Sequence, residues 1–550
     1  MKRHEGPTET KPVPAECDRP PGPRPSRPPW LPDLLLALIP AALAIFTWLI
    51  FLTDRAPHTS AALDGFPLDD AWIHMVYGRA LAFEGGFNYN TGVPEAGMTS
   101  PLWVLLLAGV HAGLRGAGIA RLVLGAKVLA LLFGLAGAWL LAALSRALGL
   151  SRGGALLAAS LFALDPSLTF SRAAGMEVPL FTALMLLSLL MAVRSQPVGT
   201  GAAIGMAIVA RPEGVVLVPA LALILLGGRW TQRPHISRYA IAALLGIVPG
   251  MLEMAYCLHT TGSLLPNTFY AKFSGHVLPS WEALGVVWRN YVIHNLPYFT
   301  FGMGSWLAIL GGWRLLRRAP RVAGGTLAAG VLLFACTVGS RVFSPGHFHY
   351  WERWIAPTFP ILLLAIAAGI EAIVQGMQDV RGRSAPGARG TAAARSWPRA
   401  ALLAAGGLAL IVILAPWARV LVARADEFAW NCQNIDELDV ACGQWVGGHL
   451  PLDAVVATCD AGAVRYFGNR ITVDLAGLND HRILAARRTG AAARPASYKV
   501  RWLILFPGLF RELLAAHRPP VLFSVHAPHY TISGAAQDTL EIYAWNPQVH

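Results

Sequence analysis

The sequence predicts a polytopic α-helical membrane protein of about 11 transmembrane helices, with a C-terminal α/β domain outside the cytoplasm. Of its 550 residues, 55% are hydrophobic and only 14% are charged. Soluble domains carry about 25% charged residues. Apolar stretches of about 20 residues recur along most of the chain, and each is long enough to cross a bilayer. After residue 423 these stretches stop and short strand-like runs begin.

Three regions follow from this pattern. Residues 1–30 are polar, basic and Pro-rich, which predicts a disordered cytoplasmic tail. Residues 31–423 form the predicted transmembrane domain, and residues 54–120 form its first extracytoplasmic loop. The apolar criterion predicts spans at 32–53, 121–147, 153–170, 178–194, 199–211, 214–228, 238–259, 299–317, 322–340, 354–375 and 400–423.

The formal net charge of +13 does not indicate a nucleic-acid partner. The Arg residues are scattered over short loops between apolar spans, as in the cytoplasmic loops of membrane proteins. The short apolar segment 100–114 is predicted to lie flat on the membrane surface, because all basic loops then fall on one side. The positive-inside rule makes that side the cytoplasm, so the N-terminus is inside and the C-terminus outside. The unusual polar sites then share the outer face.

Residues 424–550 form the predicted α/β domain. Strand-like runs lie at 454–457, 470–473, 502–506, 521–524 and 539–543, and helical stretches lie at 480–489 and 509–516. Polar turns follow the first two runs, at Asp460 and at 474–481. They are strand-end turns or contacts for glycan hydroxyls. Cys432 and Cys442 form a disulfide or remain free thiols, two alternatives that the sequence leaves open.

An acidic pair, Asp69 and Asp70, follows the first span. Adjacent carboxylates near a membrane surface are costly unless they pair, bind a metal or move protons. A carboxylate beside another can have a raised pKa and act as a general base. The structural alternative is a helix N-cap, since a helix-like run begins here and Asp caps well.

Other polar residues have comparable alternatives. Glu177 either stabilises the start of the next helix or holds a metal ion or a sugar hydroxyl. Arg211 either forms a structural ion pair with Glu213 or contributes to a site. His347 and His349 alternate in a loop, which is weak evidence for a metal site.

A cation at a membrane surface can stabilise the negative charge of a phosphate group. Lys272 is one possibility, although an interfacial Lys usually reaches towards lipid headgroups. Arg353 is the stronger one, because Arg holds a phosphate with two hydrogen bonds. The aromatic residues around Arg353 also fit an ordinary interfacial belt.

The run 67–74, with 85–90, 95–97 and 99–103, resembles the first extracytoplasmic loop of GT-C glycosyltransferases. The similarity extends to 175–177, 211–213, 266–272, Arg353 and the turns at 460–462 and 474–480. Within that superfamily the chain is most similar to the terminal arabinofuranosyltransferases of mycobacterial-type cell walls and their bacterial relatives. It departs from them at Trp72 and His74, which leaves the sugar open.

This resemblance implies an inverting transferase in the bacterial inner membrane. It implies a polyprenyl-phosphate-linked sugar donor, membrane lipid as surroundings, and a glycan, lipid or protein acceptor. Asp69 takes the role of the base and Asp70 supports it. The resemblance implies no tightly bound cofactor, with a divalent cation as an alternative. The implied donor phosphate-binding residues are Arg353, Lys272 and Arg211, and the implied substrate-binding residues are Glu177, Asn267, His74 and Glu95.

Two other classes of function compete with this interpretation. A transporter or flippase of lipid-linked glycans should carry polar groups deep in its spans and often shows internal repeats. A structural scaffold would leave the acidic pair unexplained. The gathering of polar groups at one surface favours the enzyme.

Overall fold

The computed structural model describes residues 31–53, 61–227, 236–272, 281, 285, 304–342, 352–383, 417–488, 499–531 and 537–545. Within these ranges, five helices are long and apolar enough to cross a membrane. A sixth candidate is a pair of helices that meet at a bend of 57°. The chain is a membrane protein.

The helices of the first part of the chain, labelled α1 to α12 in order, are Leu31–Leu52, Ala61–Asp64, Asp69–Glu84, Pro101–Gly113, Ile119–Ala147, Arg152–Leu164, Pro166–Ala173, Val178–Val193, Pro197–Ala210, Val218–Leu226, Ile236–Thr261 and Asn267–Lys272. Helices α13 to α16 are Gly304–Arg318, Pro320–Val342, Glu352–Ile355 and Phe359–Arg383. Short 3₁₀ segments at Pro212–Leu217 and Ala356–Thr358 precede α10 and α16. A two-stranded hairpin, β1 (Asn88–Asn90) and β2 (Val93–Pro94), follows α3.

Most of the predicted spans correspond to helices, but the number of spans is not confirmed. The five long candidates cover Asp33–Leu52, Ile119–Ala147, Ile236–Thr261, Pro320–Ser340 and Arg353–Gln378. Helices α4, α8, α9 and the segment Pro212–Leu226 are shorter apolar helices. The flat position of α4 on the membrane surface stays a prediction. Residues 1–30, 299–303 and 400–416, which belong to the predicted tail and to two predicted spans, lie outside the described residues.

The predicted span 153–170 is a broken helix. Pro166 begins α7 and Asp165 caps it, accepting a hydrogen bond from the Leu168 amide at 2.8 Å. The break leaves carbonyls at the end of α6 without their helical partners. The buried Arg172 guanidinium donates hydrogen bonds to two of them, Phe162 O at 3.4 Å and Ala163 O at 2.6 Å. Arg172 therefore stabilises the bend between α6 and α7.

Small residues allow close helix packing in the membrane domain. Helix α11 packs against α9, where a Cβ at Gly201 would lie 2.1 Å from the carbonyl oxygen of Ala242. A Cβ at Gly205 would lie equally close, 2.1 Å, to the carbonyl oxygen of Leu245. Two glycines one helical turn apart thus let the α11 backbone lie directly on α9.

The C-terminal region forms a five-stranded mixed sheet. Its strands are β3 (Val455–Thr458), β4 (Ile471–Asp474), β5 (Trp502–Leu505), β6 (Val521–His526) and β7 (Thr539–Ala544), in the spatial order β4-β3-β5-β7-β6. β4 and β5 run parallel to β3, whereas β7 is antiparallel to both β5 and β6. Helix α17, residues 417–435, leads through a π-helical segment, Asp436–Val440, into α18 (Ala441–His449). Helices α19 (Ala463–Gly468), α20 (His481–Arg488) and α21 (Arg511–His517) connect the strands.

The predicted fold class, a polytopic helical membrane protein with a C-terminal α/β domain, is confirmed. All five strand-like runs form strands, and the helical stretches correspond to α20 and α21. The boundary at residue 424 stays a prediction. Cys432 and Cys442 are both free and buried, because Cys432 packs in the core of the membrane domain and Cys442 in that of the sheet domain.

The packing of α11 on α9 gives a testable prediction. The substitution Gly201→Ala should destabilise the protein by about 1–3 kcal/mol, because its Cβ would overlap a backbone oxygen that cannot move alone. Gly109→Ala is the matched control, since Gly109 is an exposed helical glycine with open space around it. Thermal unfolding in detergent should show a lower Tm for Gly201→Ala only. An equal Tm for both variants would contradict the packing.

Candidate active site

The acidic pair occupies the first turn of α3. Leu68 is the N-cap, in an extended conformation, and no side chain caps the helix. Asp69 and Asp70 therefore lie one and two residues inside the helix, where the helix dipole favours negative charge. The N-cap alternative for these residues is wrong, although their charge still suits the helix start. Because Trp72 and Met75 are buried, the helix is fixed in rotation and the two carboxylates point into different surroundings.

Asp70 faces the membrane domain. Its Oδ2 accepts a hydrogen bond from Nη1 of Arg353, within an ion pair. Burial raises the pKa of Asp70, but the positive charges of Arg353 and Lys272 outweigh burial and hold the pKa below its usual range. Asp70 is therefore a weak base and a strong partner for cations.

Arg353 also connects to a buried group of charges around Arg211. The Arg211 guanidinium donates to the Arg353 carbonyl at 2.9 Å, and it forms ion pairs with Glu177 at 3.3 Å and Glu213 at 3.1 Å. Glu177 also lies 3.5 Å from Nε2 of His74. We call these residues the charged cluster: Asp70, His74, Glu177, Arg211, Glu213, Lys272, Arg353.

The contacts of the charged cluster form a closed ring, because Asp70 and His74, at its two ends, lie one turn apart on α3. Glu177 is 6% exposed and Arg211 4%. Although burial opposes ionisation, the neighbouring His74 ring and the charge of Arg211 lower the pKa of Glu177 to about 2. Glu177 is thus an ionised, buried partner of Arg211.

Three cations surround the indole ring of Trp354. From the ring centroid, the guanidinium carbon of Arg211 lies at 4.8 Å, that of Arg353 at 4.9 Å, and Nζ of Lys272 at 5.3 Å. These distances fit cation–π contacts. The structure thus brings together the three residues predicted to bind a donor phosphate. Arg353 and Lys272 are partly exposed, whereas Arg211 is buried.

Asp69 faces the C-terminal domain instead. Its Oδ2 accepts a hydrogen bond from the Gly462 amide at 2.7 Å, and its Oδ1 accepts one from the Ala463 amide at 2.6 Å. Burial and the negative charge of Asp460 raise the pKa of Asp69 well above its usual value, while the two amides oppose this rise. Asp69 is therefore the more basic carboxylate of the pair.

Glu95 of the first loop forms a second buried contact, which joins Asn267 of α12 and His481 of the C-terminal domain. Oε1 of Glu95 accepts from Nδ2 of Asn267 at 2.8 Å, and Oε2 lies 2.9 Å from Nδ1 of His481. Asn267 is only 1% exposed, and its backbone N–H donates a hydrogen bond to the Ala96 carbonyl at 2.9 Å. These residues fix the loop at 95–97, and their contact with substrate stays a prediction.

Within the described ranges, no group of three His, Cys, Asp or Glu side chains could hold a metal ion. Glu177, considered above for a metal ion, is engaged with Arg211 and His74. His347 and His349 lie outside the described residues.

The sequence did not indicate several residues that build this site. Asp439, on the π-helical segment, is 1% exposed, and the negative charge of Asp69 acts on it. Arg79 donates to the Tyr466 carbonyl at 3.0 Å, and Arg465 Nε donates to the Tyr89 carbonyl at 2.9 Å. Arg79 and Arg465 are single Arg residues outside any motif, so the sequence did not mark them as site residues. The sequence around Asp439 is typical of a solvent-exposed helix face. Tyr89, however, lies in the run 85–90 that carried the family resemblance.

Similarity to known proteins supports the fold. A family model described as "Domain of unknown function (DUF8728)" matches residues 431–543. The chain matches no curated protein sequence. Crystal structures of ArnT from Cupriavidus metallidurans, apo and bound to undecaprenyl phosphate, are both 14% identical, with TM-scores of 0.56 and 0.53. They align over 93% and 92% of this chain and 98% and 97% of theirs.

An oligosaccharyltransferase from Archaeoglobus fulgidus, in its apo form, aligns at 10% identity and a TM-score of 0.51. The alignment covers 84% of this chain and 69% of that one. At such identities the similarity shows the fold and leaves the reaction to be argued from the site. The chain is therefore a membrane protein with the GT-C fold, in which the first loop and the C-terminal sheet domain meet at Asp69.

Proposed function

We propose that the protein is an inverting glycosyltransferase that moves a sugar from a polyprenyl monophosphate carrier to a glycan, lipid or protein acceptor outside the cytoplasm. One observation carries the proposal: a candidate base and three candidate phosphate-binding cations meet at the start of α3. Asp69 and Asp70 are adjacent, Arg353 pairs with Asp70, and Lys272 and Arg211 lie on the same Trp354 ring.

The reaction assigns a role to each carboxylate. Asp69 takes the proton from the acceptor hydroxyl as its oxygen attacks the anomeric carbon of the donor sugar. The bond from that carbon to the phosphate oxygen breaks, and the electron pair leaves with the polyprenyl phosphate. Asp70 orients the Arg353 guanidinium, because their hydrogen bond fixes one edge of the planar group.

Arg353 and Lys272 stabilise the negative charge that develops on the leaving phosphate. They are partly exposed, so a phosphate can reach them. The buried Arg211 holds the Arg353 backbone and positions this pair. In this proposal Glu177 and His74 support Arg211 and border the sugar, and Glu95 and Asn267 shape the substrate side of the loop.

The fold relatives support a lipid-linked donor. The Cupriavidus protein binds undecaprenyl phosphate, and an archaeal oligosaccharyltransferase, AglB, is described in complex with an inhibitory peptide and a dolichol-phosphate. The resemblance to terminal arabinofuranosyltransferases suggests arabinofuranose as the first sugar to test. We place the enzyme in the bacterial inner membrane with its C-terminal domain outside. The proposed reaction needs no tightly bound cofactor, and transfer assays with and without EDTA test a divalent cation.

Replacement of the base is the first test. Asp69→Asn should lower the transfer rate by about 10²–10⁴-fold, because the amide keeps the shape of the side chain but accepts no proton. Vesicles supplied with labelled polyprenyl-phosphate sugars measure transfer to endogenous acceptors. Asp453→Asn, at an exposed position of the C-terminal domain, is the matched control and should behave as wild type. Near wild-type turnover of Asp69→Asn would remove Asp69 from the mechanism. Movement of intact lipid-linked sugar across the bilayer without transfer would indicate a flippase.

Arg353 tests phosphate binding. Arg353→Lys keeps the charge but loses the two-pronged geometry, so we expect a higher donor KM, a lower kcat and little change in acceptor KM. Arg424→Lys is the control, since Arg424 pairs with Glu427 three residues along its own helix. Steady-state kinetics of the purified proteins measure all three constants. If donor KM and kcat are unchanged in Arg353→Lys, Arg353 does not bind the phosphate and Lys272 becomes the candidate for that role.

The sidedness of the C-terminal domain is a separate prediction. Leu452 is 83% exposed in this domain, so Leu452→Cys in a cysteine-free background offers one labelling site. A membrane-impermeant thiol reagent should label it in cells with a permeabilised outer barrier and an intact inner membrane. Labelling only after lysis would show that the topology is the reverse of the predicted one and that the site faces the cytoplasm.

A further inference from the structure

The C-terminal domain holds both oxygens of the Asp69 carboxylate. The Gly462 and Ala463 amides donate to different oxygens, at 2.7 and 2.6 Å. Two hydrogen bonds to two atoms fix the plane of the carboxylate as well as its position. Each carboxylate oxygen has a second lone pair, so Asp69 can still accept a proton. The bonds therefore orient the side chain without blocking it.

Position 462 has no room for a side chain because of Asp69 itself. A Cβ there would lie 2.2 Å from the carbonyl oxygen of Asp69 and 2.7 Å from its Oδ1. The backbone of Gly462 has an ordinary helical φ of −84°, so the conformation alone would accept other residues. Gly462 is thus required by the contact between the two domains.

Further bonds fix the 460–463 turn relative to the loop. The Tyr89 hydroxyl donates to the Ala461 carbonyl at 2.7 Å. Asn90 exchanges two hydrogen bonds of 2.9 Å with the backbone of Thr472 on the edge strand β4. The Tyr77 hydroxyl donates to Oδ1 of Asn479 at 3.1 Å. The position of the turn is therefore set independently of Asp69.

The same turn also carries a negative charge, on Asp460, that disfavours ionisation of Asp69. Burial and the charges of Asp70 and Asp474 raise the pKa of Asp460 to about 7, and Asp460 in turn raises the pKa of Asp69. Among the described residues, Asp70 also acts electrostatically on Asp69, and the charge of Asp69 acts on Asp439 and on the Tyr89 phenol. Oδ1 of the buried Asp439 has no hydrogen-bond partner within the described ranges.

We propose that the 460–463 turn of the C-terminal domain is a working part of the reaction centre. It positions the Asp69 carboxylate through the backbone amides of Gly462 and Ala463, in a contact that leaves no room for a side chain at position 462. This inference rests on the proposed function, in which Asp69 is the base. Gly462 and Ala463 are positioning residues, because they act through Asp69, whereas Asp460 adds a negative charge to the same turn.

Substitutions at Gly462 and at Asp460 should shift the pH dependence of kcat in opposite directions. Gly462→Ala displaces the amides that favour the charged carboxylate, so Asp69 gains its proton more readily. The acid limb of the kcat profile then shifts to higher pH by about one unit, and kcat at neutral pH falls at least about tenfold. Asp460→Asn removes a negative neighbour, so the acid limb shifts to lower pH.

The donor KM should stay within about twofold for Gly462→Ala, because position 462 contacts Asp69, whereas Arg353 pairs with Asp70. Gly448→Ala is the matched control, since Gly448 is an exposed helical glycine of the same domain with open space around it. It should leave the profile unchanged. Shifts of both variants in one direction, or no shift in either, would overturn the proposal, because a loss of folded protein lowers kcat without moving the acid limb.

Hydrogen–deuterium exchange tests the contact without any reaction. In the full chain in nanodiscs, Asp69→Asn should speed exchange in the peptide covering 459–464, because an Asn side chain offers one acceptor oxygen for two amides. Gly462→Ala should do the same, and the peptide covering β5 should not change. Unchanged exchange at 459–464 would overturn the positioning of Asp69. If the wild-type protein transfers no sugar while both variants still show faster exchange at 459–464, the proposed function is overturned and the positioning of Asp69 is supported.

Discussion

The charged cluster depends on one buried cation, Arg211. Its guanidinium neutralises Glu177 and Glu213 and holds the Arg353 backbone. Removing one partner from a buried ion pair typically costs about 3–5 kcal/mol, because the remaining charge is left without compensation. The helix break at Pro212 places Arg211 where α9 ends. The ends of three membrane-domain segments are thereby tied to one point, and the exposed part of the cluster inherits its geometry from this buried part.

Adjacent residues on α3 take part in two different networks. Asp70 belongs to the membrane domain through Arg353, and Asp69 belongs to the sheet domain through the 460–463 turn. Their environments separate the two pKa values, because cations stabilise the charge of Asp70 while burial and Asp460 destabilise that of Asp69. Two carboxylates of similar intrinsic acidity can therefore play different parts in one reaction.

The sequence was sufficient for the architecture because hydrophobic runs and alternating strands are local signals. The five strands and the five long spans follow from such runs. The candidate site residues that the sequence singled out lay in a recognisable loop or at a helix end, as with Asp69, Glu177 and Arg211, and their roles stay predictions. The pairing of Arg353 with Asp70 was not, since contacts between distant segments depend on how helices pack. For the same reason, the sequence predicted neither the π-helical segment with Asp439 nor the contact of Glu95 with His481 of the C-terminal domain.

The contact between Asp69 and the Gly462 amide also orders events in time. The two residues are 393 positions apart, and ribosomes add about 5–20 residues per second. On that scale, about 20 to 80 s separate the synthesis of the helix start from that of the turn that holds it. During this interval the loop stands at the membrane without its partner. A chain whose last domain has not yet folded therefore has an acidic pair and a set of cations, but not the carboxylate geometry that the complete protein provides.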